Sequence, residues 1–474
     1  MLVTVYVALA ALGLVCAGLE LAARRASPPQ LSAANPAFRS FQTLFLRGYL
    51  PALCADWLQG PYLYKLYRHY NFLESQIAIL YVCGLGSCAL FAPVAAWLPQ
   101  ALGRRGACLL FCVAYSACCF TKLSRDYFTL ILGRVLGGLS TSLLSTAFEA
   151  WYLQRHLGAR DFPREWIPAT FARAGGWNHG LAVGAGLAAN LLAEWAGLGP
   201  VAPFLLAVPF LAGCGWVVLW EWGREEAEGE AEQGGPLLGA PSTLPPGPGP
   251  STRARLWRSA LDGLRCLLAD RRVVLLGVVQ ALFESVLYIF VFLWTPVLDP
   301  HGPPLGLVFS CLMAASMAGS SLYRLATSPR GRLQPLPLLC AAVLLVAVAL
   351  GVLTVSTAPG RPRPLRSFLA FLLLELGCGL YFPAVAFLQS RVVPEDRRGA
   401  VLAWLRLPLL LLACLGLLAL HGEVSGSGGG EGGAGTSHMF GGCAVMMGSA
   451  LLAAGGLLAL GRHDDHLRLG EGDM

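Results

Sequence analysis

Lysine is almost missing from this sequence: it stands only at Lys65 and Lys122, and arginine supplies the rest of the positive charge. Charge of either sign is scarce, at 13% of residues, where a soluble protein carries about a quarter. With 56% apolar residues, that scarcity excludes a pair of soluble domains in 474 residues. No Asn stands in an N-x-Ser/Thr context, so no glycosylation marks the topology. No Walker-type loop is present, which excludes ATP hydrolysis of that kind. No nucleophile–base pair can be located, so an enzyme is not expected. The 15 cysteines form no C-x-x-C pair and have no histidine at zinc spacing; they read as small buried hydrophobes. His463 and His466 flank Asp464 and Asp465 in what reads as a solvated tail, so neither a metal nor a cofactor is expected. The net charge of +7 does not indicate nucleic acid, because the basic residues lie in short clusters between apolar segments.

What is present is a series of apolar runs of about 20 residues, each long enough to span a bilayer. The first, Leu2 to Leu21, has no basic residue before it and is followed by Arg24 and Arg25. It reads as an uncleaved anchor with its N-terminus outside. Six runs follow, near 41–64, 76–98, 107–123, 128–153, 168–196 and 200–222. Residues 223–249 are rich in Glu, Gly and Pro and read as a disordered linker, and 253–272 as a basic helix at the membrane surface. Six more runs lie near 273–298, 305–327, 336–356, 368–391, 400–420 and 439–460. The expected plan is an anchor and connector (1–40), a six-helix half (41–222), a cytoplasmic linker (223–272), a second six-helix half (273–460) and a cytoplasmic tail (461–474). With the linker inside, roughly 21 Lys/Arg residues face the cytoplasm and roughly 7 face outward. Arg104, Arg105, Arg330, Arg332, Arg397 and Arg398 agree with that orientation, while Arg361, Arg363 and Arg366 oppose it. Two six-helix halves place a site at the midplane between them.

Leu102-Gly103-Arg104-Arg105-Gly106 resembles the end of the loop 2–3 signature of the major facilitator superfamily. Gly133-Arg134-Val135-Leu136-Gly137-Gly138 resembles the fourth-helix signature of its proton-coupled members. The signature's Asp would fall near Gln100, where no acid stands, and Glu149 is the candidate substitute for latching Arg104 or Arg105. Longer strings resemble one subgroup, the molybdate-anion transporters. They include Ala55-Asp56-Trp57-Leu58-Gln59-Gly60-Pro61-Tyr62, Phe148-Glu149-Ala150-Trp151-Tyr152, Glu165-Trp166-Ile167-Pro168-Ala169-Thr170, Gln280-Ala281-Leu282-Phe283-Glu284 and Gly379-Leu380-Tyr381-Phe382-Pro383. The resemblance implies an all-α major facilitator fold and high-affinity molybdate uptake at the plasma membrane, with the lipid bilayer as the protein's surroundings.

Charges inside the apolar segments carry the chemistry, since an ionised group at mid-bilayer costs about 2.5–3.5 kcal/mol on insertion scales. Arg134 offers a guanidinium fork to a tetrahedral oxyanion, or a structural pair to Asp56. Arg173, Asn178 and His179 form a polar face on the fifth core helix, and Arg406 precedes Pro408 on the eleventh. These five are the candidate substrate ligands; for Arg173 and Arg406 the alternative is a place at the inner membrane surface. Glu284 shares a face with Gln280 and Tyr288. A carboxylate near an anion site repels the anion unless it carries a proton, so Glu284 is a proton-carrier candidate, with a salt bridge as its alternative. Asp56 and Glu375 join it; close helix contact at Gly377 and Gly379 is the other explanation for Glu375. Arg324 falls at the inner rim. A monomer is expected. A carrier of an organic solute, or a non-transporting scaffold or sensor on the same fold, are the rival readings.

Overall fold

The computed structural model describes residues 1–26, 35–232, 252–329, 331–359, 363–393, 398–426 and 432–471. Every regular element among these residues is helical. Before the central linker lie α1 (Leu2–Ala26), α2 (Pro36–Gln59), the short α3 (Leu63–His69), α4 (Glu74–Ala101), α5 (Arg104–Thr121), α6 (Tyr127–Gln154), α7 (Ile167–Asn190) and α8 (Ala202–Glu232). After it lie α9 (Thr252–Ala269), α10 (Arg271–Leu298), α11 (Leu305–Ala326), α12 (Pro335–Ser356), α13 (Pro364–Val392), α14 (Arg398–Gly426) and α15 (Gly432–Glu471). The chain is an all-α, multi-pass membrane protein of two six-helix halves, α2 with α4–α8 and α10–α15, preceded by the extra helix α1. Among the described residues, nine helical stretches are long and apolar enough to cross a membrane, and α14 adds a shorter apolar stretch, Trp404–Ala419. The more polar α2, α5 and α7 complete the set.

Three boundaries differ from the sequence reading. The first core run breaks at Gly60, where α2 ends; Pro61 has no N–H to continue the helix, and α3 begins two residues later. Helix α2 starts at Pro36, inside the stretch assigned to the connector, because Asn35 caps it by accepting the Phe38 N–H at 3.1 Å. Helix α8 runs on to Glu232, into the stretch read as linker. Its Glu/Ala-rich end favours helix, and three of its acids meet arginines from other parts of the chain. The linker and tail expectations for 233–251 and 472–474 lie outside the described residues, as do Arg330, Arg361 and Arg397.

The chain forms two compact units. One gathers α1, the start of α4, and the helices from α9 to α15. In it α1 packs along α11. The Glu20 carboxylate of α1 takes the Arg324 guanidinium of α11 in a close ion pair, and Arg24 at 3.0 Å. Arg324 is therefore a tether for the N-terminal helix. At the α11–α13 contact Gly319 and Gly379 bring the two backbones together: a Cβ on Gly379 would run into the Ser316 carbonyl.

The other unit gathers α2, α3, most of α4, and α5 to α8. Its core is aromatic. Trp151 and Trp222 stack at 3.7 Å, with Phe41, Phe45 and Phe148 around them. The Trp222 indole donates to the Leu44 carbonyl at 3.2 Å and lies against Gly48, where a side chain would displace it. Asp126 caps α6, accepting the Thr129 N–H at 2.8 Å, and that bond holds its carboxyl below the usual range.

Candidate functional site

In the aromatic unit, Asp56 is half-buried near the end of α2. The Tyr115 hydroxyl of α5 donates to its Oδ1 at 2.5 Å. One residue on, the Trp57 indole donates to Asn178 Oδ1 of α7 at 2.7 Å. The ion pair between Asp56 and Arg134 that the sequence left open does not form. Arg134 turns to α4, where its Nε donates to the Leu80 carbonyl at 3.0 Å and its guanidinium lies over the Tyr81 ring at 5.3 Å. Gly84 makes room for it, since a Cβ there would collide with the guanidinium. The Nη groups of Arg134 have no acceptor among the described residues. They are the part of this side chain that can receive an anion.

Arg173 is exposed on α7, and its Nη1 donates to Gln42 Oε1 of α2 at 3.3 Å. Behind it runs a buried chain of polar groups. Gln42 donates to Thr170 Oγ1 at 2.9 Å, Thr170 shares a hydrogen bond with Tyr152 at 2.7 Å, and Tyr152 meets His156 Nδ1 at 3.1 Å. His156 Nε2 in turn donates to the Pro163 carbonyl at 2.9 Å. This chain holds Gln42, the acceptor of Arg173, in place. His179 donates from Nδ1 to the Gly175 carbonyl at 2.9 Å, which leaves Nε2 the ring's acceptor position.

The gate candidates have more partners than the sequence suggested. Arg105 meets Glu226 of α8 at 3.3 Å, and the Trp151 indole donates to the same carboxylate at 3.1 Å. Beside them Glu225 accepts both arms of Arg160 at 2.8 Å and lies 3.7 Å from Arg155. Arg47 meets Glu221 at 3.3 Å. Glu149 is exposed on α6, and Arg104 is half-buried at the start of α5. The acids of α8 were missed because the stretch from 223 onward read as linker. The available signal was charge complementarity between that run and the arginines of 104–105 and 155–160.

In the other unit, Glu284 of α10 is half-buried among partners from three helices. Gln280, one turn back, bonds to it; the Tyr381 hydroxyl of α13 donates to Oε1 at 3.4 Å; Arg406 of α14 acts on it through its charge. Tyr381 is held flat against Phe283, ring centroids 3.7 Å apart, and Gln389 of α13 donates to Gln280 at 2.7 Å. Arg406 is otherwise exposed. Glu375 is buried in the α11–α13 contact with the Ser316 hydroxyl as its partner. Tyr288 is exposed. The structure thus sets Glu284 within electrostatic range of Arg406 and places Asp56 beside Tyr115. The tyrosine partners of both acids went unread, as nothing in spacing ties residue 56 to 115 or 284 to 381. Among the described residues no group of His, Cys, Asp or Glu is placed to hold a metal ion.

Six helices in each half, most of them apolar, with acids and arginines inside both halves, define a transporter of the major facilitator type. The chain matches a family described as sugar transporters with 12 transmembrane segments over residues 1–238 and 249–374. It shares its fold with a D-xylose–proton symporter (TM-score 0.63, 14% identity, 88% of this chain and 97% of that one). The nucleoside transporter NupG is a second such structure (TM-score 0.59, 13% identity, 88% and 98%). Proteins named molybdate-anion transporter are far more similar. That of Danio rerio is 69% identical over 99% of this chain and 98% of its own, and that of Takifugu rubripes 67% identical over the whole of both. That of Xenopus tropicalis is 53% identical over 99% and 97%. The chain belongs to the molybdate-anion transporter family of the major facilitator superfamily, and it is a transporter rather than an enzyme.

Proposed function

We propose that this protein takes up molybdate across the plasma membrane by proton-coupled alternating access. The observation that carries the reading is identity of 52–69% along essentially the whole chain with relatives named for that anion. Energetics sets the coupling. Molybdate is a dianion, and moving two charges inward against an inside-negative potential costs about 4.6 kcal/mol per 100 mV. A passive carrier would expel it, so inward transport needs at least two cations with each anion, or exchange for another anion.

In this reading Arg134, Arg173 and Arg406, with Asn178 and His179, receive the oxyanion. Asp56, Glu284 and Glu375 take protons. The charge of Arg406, within electrostatic range of Glu284, supports an exchange in which the arginine turns to the anion once the carboxylate is protonated. The halves 41–222 and 273–460 rock about the site, with Arg104, Arg105 and Glu149 among the groups that latch the cytoplasmic side. The N-terminus lies outside, the linker and C-terminus inside, and the protein works as a monomer. Radiolabelled molybdate uptake into liposomes bearing the purified protein tests the coupling. Uptake should accelerate several-fold when the outside is made acidic; indifference to an imposed pH gradient would exclude protons as the coupling ion.

One observation favours a second reading. The family description names sugars, and the solved structures sharing the fold carry organic solutes. Uptake of an organic solute that is blocked by Glu284→Gln and unaffected by molybdate would support it.

A further inference from the structure

Lys122 closes α5, and its side chain is 1% exposed. Among the described residues its ammonium has one hydrogen-bond partner, the Tyr67 hydroxyl of α3 at 2.9 Å, whose ring it also faces at 5.3 Å. No carboxylate lies within ion-pair distance of it. The acid nearest in sequence, Asp126, is turned to Thr129 as the cap of α6. A buried ammonium without a counter-charge is costly, and an apolar side chain would fill the same space at less cost. The position therefore calls for a negative group that the protein does not supply.

A second cation without a carboxylate stands close by. A Cβ on Gly133 would run into Thr121, so α5 and α6 touch there, and Lys122 and Arg134 are the next residues of each helix. The Cys118 thiol also reaches the Gly133 carbonyl at 3.0 Å. Lys122 faces the Tyr67 ring and Arg134 the Tyr81 ring, and the two tyrosines lie within electrostatic range of each other, Tyr67 also of Tyr127. Two N–H groups of Lys122, the Nη groups of Arg134 and the phenol proton of Tyr67 have no acceptor among the described residues. A tetrahedral oxyanion offers four acceptor oxygens and the missing charge.

We infer that Lys122, Tyr67 and Arg134 form an oxyanion-binding site at the α5–α6 turn, with Lys122 and Tyr67 as ligands. The inference rests on the oxyanion reading above and adds the place where the anion first binds. The full-length protein in detergent tests it through thermal stabilisation by molybdate, and by sulfate in parallel, with Lys122→Gln, Tyr67→Phe and the control Lys65→Gln beside the wild type. The half-saturating anion concentration should rise at least about tenfold in Lys122→Gln and by a smaller factor in Tyr67→Phe, while Lys65→Gln keeps the wild-type value. Tyr67→Phe keeps both the ring and the charge, so it decides the matter if Lys122→Gln does not fold. Stabilisation by sulfate but not molybdate, lost in the same variants, would uphold the site and remove the molybdate reading. Unchanged anion dependence in both variants, or no stabilisation of the wild type by either anion, would overturn the site.

Discussion

The Tyr115 hydroxyl on α5 stands 2.5 Å from the Asp56 carboxylate on α2, and among the described residues no arginine forms an ion pair with that acid. The acid is thus held by a neutral donor and is open to gaining or losing a proton without breaking an ion pair. Asp56→Asn should leave the fold intact and remove the stimulation of uptake by outside acid. Tyr115→Phe should reduce the rate by a smaller factor, on the order of tenfold or less for one lost hydrogen bond. Initial rates at two imposed pH gradients check both.

Gly84 is a prediction about Arg134. Any side chain at Gly84 meets the guanidinium and pushes it off Tyr81. Gly84→Val should therefore reproduce the transport defect of Arg134→Gln while leaving protein yield near normal. The double variant should be no worse than either single one, since both remove the same contact. Uptake assayed on the three variants side by side reads this out.

The pair formed by Glu20 and Arg324 ties α1 to α11. Glu20→Ala or Arg324→Ala should lower stability by roughly 1 kcal/mol, as for a partly exposed pair. The charge-exchanged double variant should recover part of the loss. Thermal unfolding followed by fluorescence of the detergent-purified protein would measure it, and an unchanged midpoint would show that α1 is held by packing alone.

At the α11–α13 contact, Gly379→Leu should abolish folded protein, because the new side chain enters the backbone of α11. Gly86→Ala, whose added methyl meets nothing, should express normally. The yield of monodisperse protein distinguishes the two.

The helices were legible because most are apolar runs of bilayer length, and the two-half plan because a polar stretch divides them. Interior charges were equally visible, since a charge in an apolar run stands out. Their partners were not. Asp56 suggested Arg134 by charge, yet it faces Tyr115, and Arg134 faces a carbonyl and a ring on α4. The end of α8 read as linker because its acids look solvated until Arg105 and Arg160 are brought to them from 65 residues away or more. Lys122 sits at the end of an apolar run, where a lysine ordinarily reaches the interface; only the packing of α3 over it shows that it is buried.

Uptake of radiolabelled molybdate at nanomolar concentration by purified protein in liposomes, wild type beside Arg134→Gln, tests both the substrate and the place of its binding. Saturable uptake by the wild type and its loss in the variant are expected. No uptake above empty liposomes from folded wild-type protein would contradict molybdate as the substrate, and full uptake by Arg134→Gln would contradict the place given to that arginine.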